Sequence, residues 1–351
     1  MENFKKYFFL IIYFNLIFFN SFSQKSAFFS AKSSFDNEIS KDRIFTKKLI
    51  LADDSWAIYK LSASLDAYNN MYLATKDEKY LLEGMDIIKS IINNSQSSIK
   101  IKNSQFKDNY KTWVNKSHPD KGNDSKEYPL YETFFWRYVT TQLVLIKDNG
   151  LDKKYKSYYK QVLNFSEKNI FEKWHKRGDK NIYRENTNMS ALWSHVCFNL
   201  YIITRKNDYL NVCKNFNSKF LKQLKYNSDG TVFWNSFWDA RKKTKQGQDV
   251  SHANAEVSYI IDCYSRGYFF DLNLINSISK TFTTRILKDN NSTAYYLDGS
   301  GDSKGRIVDG FLKLGRFDKN LAQRLTSFYP PNESEFYRNI QYYSVMALIN
   351  K

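Results

Sequence analysis

Apolar residues recur three, four and seven positions apart along most of the chain, the period of a helix with one buried face. Such segments come in pairs. Residues 56–74 are followed by 77–92, 134–146 by 154–171, 189–203 by 208–224, and 253–264 by 272–287. A shorter pair spans 310–314 and 321–328, and 339–349 closes the series. Lys, Asn and Asp fill the turns. TKDEKYL (75–81) and TRKNDYL (204–210) fall at the same place in two pairs, which marks an internal repeat.

Helical pairs of this size bury their apolar faces on one another, either as an open solenoid or as a ring. The unequal pair lengths and unequal loops favour the ring. The expectation is an all-α chain, an α/α toroid of about five to six hairpins, incomplete or closed, forming one domain over residues 24–351. One helix of each pair then lines the centre, and the inner helices open their N-termini on one face. The segments landing there are 53–56, 127–137, 183–188, 246–256, 299–309 and 334–338. They hold most of the unusual polar and aromatic residues, and helix N-termini favour anions.

Residues 1–23 read differently. Lys5 and Lys6 precede an apolar run, Tyr7 to Phe19, and small residues Ser21 and Ser23 flank a cleavage position before Gln24. This is the pattern of a secretory signal peptide, and the run is short for a membrane span. A periplasmic or secreted protein without a membrane span after signal removal is expected, and a monomer. Three cysteines are too few for a disulfide framework and lack metal-ligand spacing; Cys197 and Cys213 could pair if their helices are neighbours. The net charge of +17 suits an anionic partner. Export points to an acidic polysaccharide rather than nucleic acid, although a Lys/Asn-rich composition gives the same charge without a partner.

Candidate chemistry gathers at the expected rim. Ser251, His252, Asn254 and Glu256 open one inner helix behind Asp249, which reads as its N-cap. Glu256 is one turn from His252, placed to orient and charge the imidazole. Tyr183 to Asn188, including Arg184, runs into another inner helix on which His195 lies two turns deep. Trp234 and Trp238 sit in an aromatic loop followed by Arg241, suited to stacking sugars and meeting carboxylates. A structural latch would use the same tryptophans. Further candidates are Trp56, Glu132 with Arg137, Tyr296, Arg306 and Arg338. His118 and His175 read as exposed loop residues. No P-loop, GxSxG or HExxH is present, and no cofactor or metal is expected.

The stretch from Arg184 to Tyr264 resembles the α/α-toroid polysaccharide lyases, most closely the alginate lyase type. Asn188-Met189-Ser190 stands where that family has an Asn-His pair, Asp229-Gly230 matches its turn, and Arg241 to Lys245 its basic loop. Ser251-His252-Ala253-Asn254 matches its Tyr-His-Asn segment. The family's histidine falls on Met189 and its tyrosine on Ser251. The resemblance implies β-elimination at a uronic acid, with Asn188 and Arg241 neutralising the carboxylate. His252, His195 or a rim tyrosine such as Tyr296 would supply acid/base chemistry. Trp56, Trp234 and Trp238 would hold neighbouring sugars, with Glu132, Arg137, Arg184, Asn254, Glu256, Arg306 and Arg338 completing substrate contacts. A glycoside hydrolase, which needs two carboxylates, an epimerase and a non-catalytic glycan-binding protein of the envelope remain alternatives.

Overall fold

The chain opens with a long helix, α1 (Glu2–Leu51), and continues through helical pairs. The computed structural model describes residues 2–242, 246–288, 292–301, 305–328 and 338–351, with side chains from residue 24 onward. The side-chain pattern of the expected signal peptide, Lys243 to Lys245 and Ser334 to Tyr337 therefore lie outside it.

Every expected helix forms. The first pair is α2 (Ser55–Thr75) and α3 (Glu78–Asn93), and the second is α4 (Pro129–Asp148) and α5 (Lys156–Phe165). α5 runs on through a wider π-type stretch, Ser166–Glu172, into the short α6 (Lys173–Lys176). Then come α7 (Thr187–Thr204) with α8 (Asn207–Gln223), and α9 (Val250–Ser265) with α10 (Leu272–Thr281). The short pair is α11 (Asp309–Lys313) and α12 (Lys319–Thr326), and α13 (Asn339–Ile349) follows. Capping explains several starts. Asp54, Asp77, Asp249, Asp271 and Asp318 each stand in extended conformation and accept a backbone N–H from the first turn they precede.

The repeated heptapeptides make the same turn twice. Lys76 and Arg205 both adopt the left-handed conformation, and their N–H groups bond Tyr72 O and Tyr201 O at 2.8 Å. Each cation lies over the ring of that same tyrosine, at 5.6 and 5.3 Å. Thr75 and Thr204 turn their hydroxyls back to the carbonyls of Met71 and Leu200.

The packing closes into a ring. Each of α2, α4, α7, α9, α11 and α13 packs on the next, and α13 packs back on α2. These inner helices are buried on nearly all sides because they are sandwiched, whereas α3, α8 and α10 bury one face and wet the other. The α/α toroid is closed. Asn70 Nδ2 donates to Ser344 Oγ at 3.3 Å across the seam between α2 and α13. Gly310 makes the α9–α11 approach feasible, since a Cβ there would lie 2.3 Å from Asn254 O.

Two features lie beyond the expected pairs. Residues 24–51 of α1 fill the outer position against α13 and α2, burying Ala31, Phe35, Asp42, Thr46 and Leu49 at three- to seven-residue spacing. Two small hairpins, β1 (Gln96–Ser97) with β2 (Lys111–Thr112) and β3 (Lys225–Tyr226) with β4 (Val232–Phe233), decorate the loops. Asp229-Gly230 turns the second of them, with Gly230 at φ +79. α7 and α8 are neighbours, yet Cys197 and Cys213 are both free thiols, as is Cys263.

Candidate functional site

The N-terminal halves of the inner helices enclose a cavity of about 300 Å³. Trp56, Tyr59 and Lys60 enter from α2, Phe134, Arg137 and Tyr138 from α4, and Asn188, Met189 and Leu192 from α7. Ser251, His252 and Asn254 come from α9, Asp309 from α11, and Gln341 from α13, with Arg306 from the preceding loop. One wall is aromatic. Trp56 stacks on Tyr59 at 4.9 Å, and Tyr59 on Phe134 at 4.1 Å. At its upper edge the His118 ring lies 4.3 Å from Trp56 and stacks on Tyr131.

The floor is charged but internally paired. Arg137 Nη1 lies 3.2 Å from Asp309 Oδ2, and Tyr138 donates its hydroxyl proton to the same oxygen at 2.6 Å. Burial disfavours the Asp309 carboxylate, but Arg137 and Lys313 outweigh it and hold the group below its ordinary value. Beneath, Asp66 accepts from Lys313 Nζ at 2.7 Å and from Gln341 Nε2 at 2.8 Å. These pairs plug the ring axis.

His252 stands at the mouth with 60% of its side chain exposed. Its Nδ1 lies 2.8 Å from Asp249, and this hydrogen bond raises the imidazole above its ordinary value against the pull of burial. The carboxylate that orients His252 is thus the helix cap, which also accepts the His252 backbone N–H at 3.0 Å. Glu256, the expected partner, is fully buried instead. Neither of its oxygens has a hydrogen-bond partner among the described residues, and burial pushes its carboxyl up to about 8.

The remaining candidates divide by place. Trp56, Arg137, Asn188, His252, Asn254 and Arg306 share the cavity. Asn254, however, commits its amide to the protein. Its Nδ2 donates to the carbonyls of Val250, Ser251 and Arg306, and its Oδ1 accepts from Val308 N and Phe311 N. It clamps the 306–311 segment to α9 rather than presenting a ligand group. Arg184 lies just behind the wall, its Nη2 3.4 Å from Met189 Sδ.

The others stand away from the cavity. His195 points toward the opposite end of the ring, where Nε2 meets Asp262 at 2.7 Å beside a 40 Å³ cavity that Arg316 also lines. Glu132 is buried between Lys173 Nζ at 2.8 Å and Trp174 Nε1 at 2.7 Å. Trp234 is fully buried against Phe220, and Trp238 packs on Phe216 and donates to Arg184 O. The aromatic loop is therefore a latch, because its rings complete the α7–α8 core. Arg241 is exposed and paired with its neighbour Asp239 at 2.8 Å. Tyr296 bridges to the Asp249 backbone and packs on Tyr295, and Arg338 lies over Phe45, 3.6 Å from Asp42.

The structure also adds residues without a candidate role in the sequence: Tyr59, Lys60, Phe134, Tyr138, Gln341 and, at the edge, His118, which reads there as an exposed loop residue. The first five lie on inner helices at core-like spacing, where periodicity marks them as packing residues. Lys60 carried a signal, being a cation on the buried face of α2. Met189 and Ser251, where the resemblance implies a histidine and a tyrosine, both fall in the cavity wall.

No family model matches the sequence, and no curated protein matches it. Among solved structures, an alpha-amylase from Clostridium perfringens is 11% identical, with a TM-score of 0.47, over 82% of this chain and 85% of that one. An inactive variant of an alpha-1,6-mannanase of Salegentibacter sp. HEL1_6, in complex with alpha-1,6-mannotriose, is 14% identical, TM-score 0.45, over 83% and 88%. A polysaccharide lyase is 12% identical, TM-score 0.46, over 87% and 96%.

Proposed function

We propose that this chain is an exported polysaccharide lyase that cleaves an acidic, uronic-acid-containing polysaccharide, alginate-like in kind, by β-elimination. One observation carries the reading. Among the described residues lining the cavity, Asp309 is the one carboxylate, and Arg137 neutralises it, while Lys60, Asn188, His252 and Arg306 stand around it. A hydrolase of the usual kind needs two carboxylates facing the sugar. A lyase needs cationic and amide groups around the uronate carboxylate, so that the adjacent ring proton becomes acidic.

In this reading the uronate sits against the Trp56–Tyr59–Phe134 wall, which suits the apolar face of a sugar ring. Asn188, Arg306 and Lys60 receive the carboxylate and stabilise the enolate that forms when the proton leaves. Tyr59 and His252 are the proton-transfer groups. The raised imidazole of His252 is suited to protonate the leaving glycosidic oxygen, and Tyr59, as its phenolate beside Lys60 and Arg137, takes the ring proton and becomes the neutral phenol. His195, Arg241 and Tyr296 have no part in these steps.

The test is the ultraviolet absorbance of the new double bond when purified protein meets alginate, glucuronan, pectate and glycosaminoglycans. A rise that vanishes in His252→Ala supports the lyase. New reducing ends without that absorbance would transfer the assignment to a hydrolase, and an inert panel would sink both.

A further inference from the structure

The cavity has a neighbour on the same rim. Asp53, Gln96, Lys100, Lys102, Trp113 and Lys116 are among the residues that line a groove of about 310 Å³, between the loop after α1 and the β1–β2 hairpin. The two spaces share a wall. Ser55 N donates to Val114 O at 3.0 Å, and Asp54 Oδ1 accepts from both Trp56 N and Lys116 N, at 3.0 and 2.9 Å. Four residues on from Val114, His118 lies against Trp56 of the cavity. The segment 113–118 thus leads from the groove to the cavity's aromatic edge.

The groove is cationic. Its carboxylate, Asp53, pairs with Lys116 at 3.0 Å. Lys100 and Lys102 are exposed and have no ion pair among the described residues. The loop bearing them is pinned, because Lys107 Nζ donates to the carbonyls of Ile101 and Lys102 at 2.9 and 3.1 Å. Two unpaired ammonium groups on a fixed loop beside a sugar-sized cavity form a ready place for further negative charge.

We infer that this groove is a distal subsite for an anionic sugar chain, occupied by uronate units that extend past Trp56 and His118 out of the cavity. The inference rests on the polysaccharide lyase reading and adds a length requirement: chains long enough to reach Lys100 and Lys102 bind better than short ones. Contacts at this distance from the reacting bond hold ground state and transition state alike, so they act on KM and leave kcat unchanged.

The experiment compares wild type with Lys100→Ala/Lys102→Ala, on long-chain alginate and on an alginate trisaccharide. Binding is measured calorimetrically alongside turnover, with a neutral glucan as control. Two exposed ion pairs of ordinary strength predict a rise of roughly five- to tenfold in Kd and KM for the long chain. kcat, the trisaccharide values and the circular dichroism spectrum should be unchanged, and the salt dependence of long-chain binding should weaken. Equal values for wild type and variant on the long chain would overturn the subsite alone. An equal loss on both lengths would also overturn it, by locating the effect in the cavity. Wild type that neither cleaves nor binds any polyuronate would overturn the lyase reading and the subsite together.

Discussion

Arg137 and Asp309 face each other 3.2 Å apart beneath the cavity, each with 2% of its side chain exposed. Their charges cancel where water cannot screen them. Replacing Arg137 by Met should take the nearest counter-charge from a buried carboxylate, leaving it only Lys313 and the Tyr138 hydroxyl, and cost about 3 kcal/mol of stability. Pairing that change with Asp309→Asn should recover most of the loss. Urea denaturation of both variants checks this, and an equally unstable double variant would contradict it.

His252→Ala should reduce turnover by about a hundredfold or more while leaving the melting temperature nearly unchanged, since the ring is mostly exposed and removes a proton-transfer group. Asp249→Asn is the sharper probe, because asparagine keeps the helix cap and removes only the charge. His252 should then fall back toward its ordinary value, and the alkaline limb of the kcat/KM profile should move to lower pH. In the wild type, the His252 share of stability is full below about pH 6.5 and fades as pH rises through its raised value. The Asp249 share is present above about pH 3.8 and fades on acidification through its lowered value.

Glu256 should make the protein less stable as pH rises. Its carboxyl titrates near 8 in the fold against an ordinary carboxylate value when unfolded, so the unfolded chain releases its proton first. Stability should therefore fall between about pH 4.5 and pH 8 and then level off, at up to about 1.4 kcal/mol per pH unit. Glu256→Gln should flatten that slope. Melting temperatures of both proteins across this range decide the matter, and parallel curves would show that Glu256 is not the cause.

Two tryptophans should behave oppositely. Trp56→Ala should weaken polyuronate binding, by roughly tenfold for one lost stacking platform. Trp234→Ala should instead cost about 3–5 kcal/mol of stability, by opening a void against Phe220. Calorimetric binding and denaturation of each variant separate the roles.

Gly310→Ala should destabilise the ring by about 1–3 kcal/mol, the usual cost of overpacking, since the added methyl meets Asn254 backbone and not a movable side chain. A melting temperature equal to wild type would show that α11 can shift aside.

The fold was legible in the sequence because helical period and turn chemistry are local. The heptapeptides at 75–81 and 204–210 mark the same place in two pairs, and there the structure makes the same left-handed cap, at Lys76 and Arg205. The helix over residues 24–51 was missed although Ala31, Phe35, Asp42 and Leu49 carry its spacing, because a charged residue occupies one buried position. Asp42 is buried there to accept from Ser64 and Tyr68, partners that only the folded ring supplies. The site was legible in part for a similar reason. Helix-opening residues such as Trp56, Asn188 and His252 advertise themselves, whereas Tyr59 and Tyr138 read as core. Trp234 and Trp238 failed the other way: an aromatic loop looks the same in sequence whether it greets a sugar or seals a gap between helices.

The seam between α2 and α13 has a consequence in time. Asn70 and Ser344 are 274 positions apart, and the cavity draws Tyr59 from one side of that seam and Gln341 from the other. The hairpins α2–α3 and α7–α8 can form from neighbours as they emerge, but the binding cavity is completed only when α13 arrives. Contacts so distant in sequence close slowly. Until then the apolar flanks of α2 and α11 lie bare, so variants that loosen α13 should show their harm first as aggregation during refolding, before any loss appears in the finished protein.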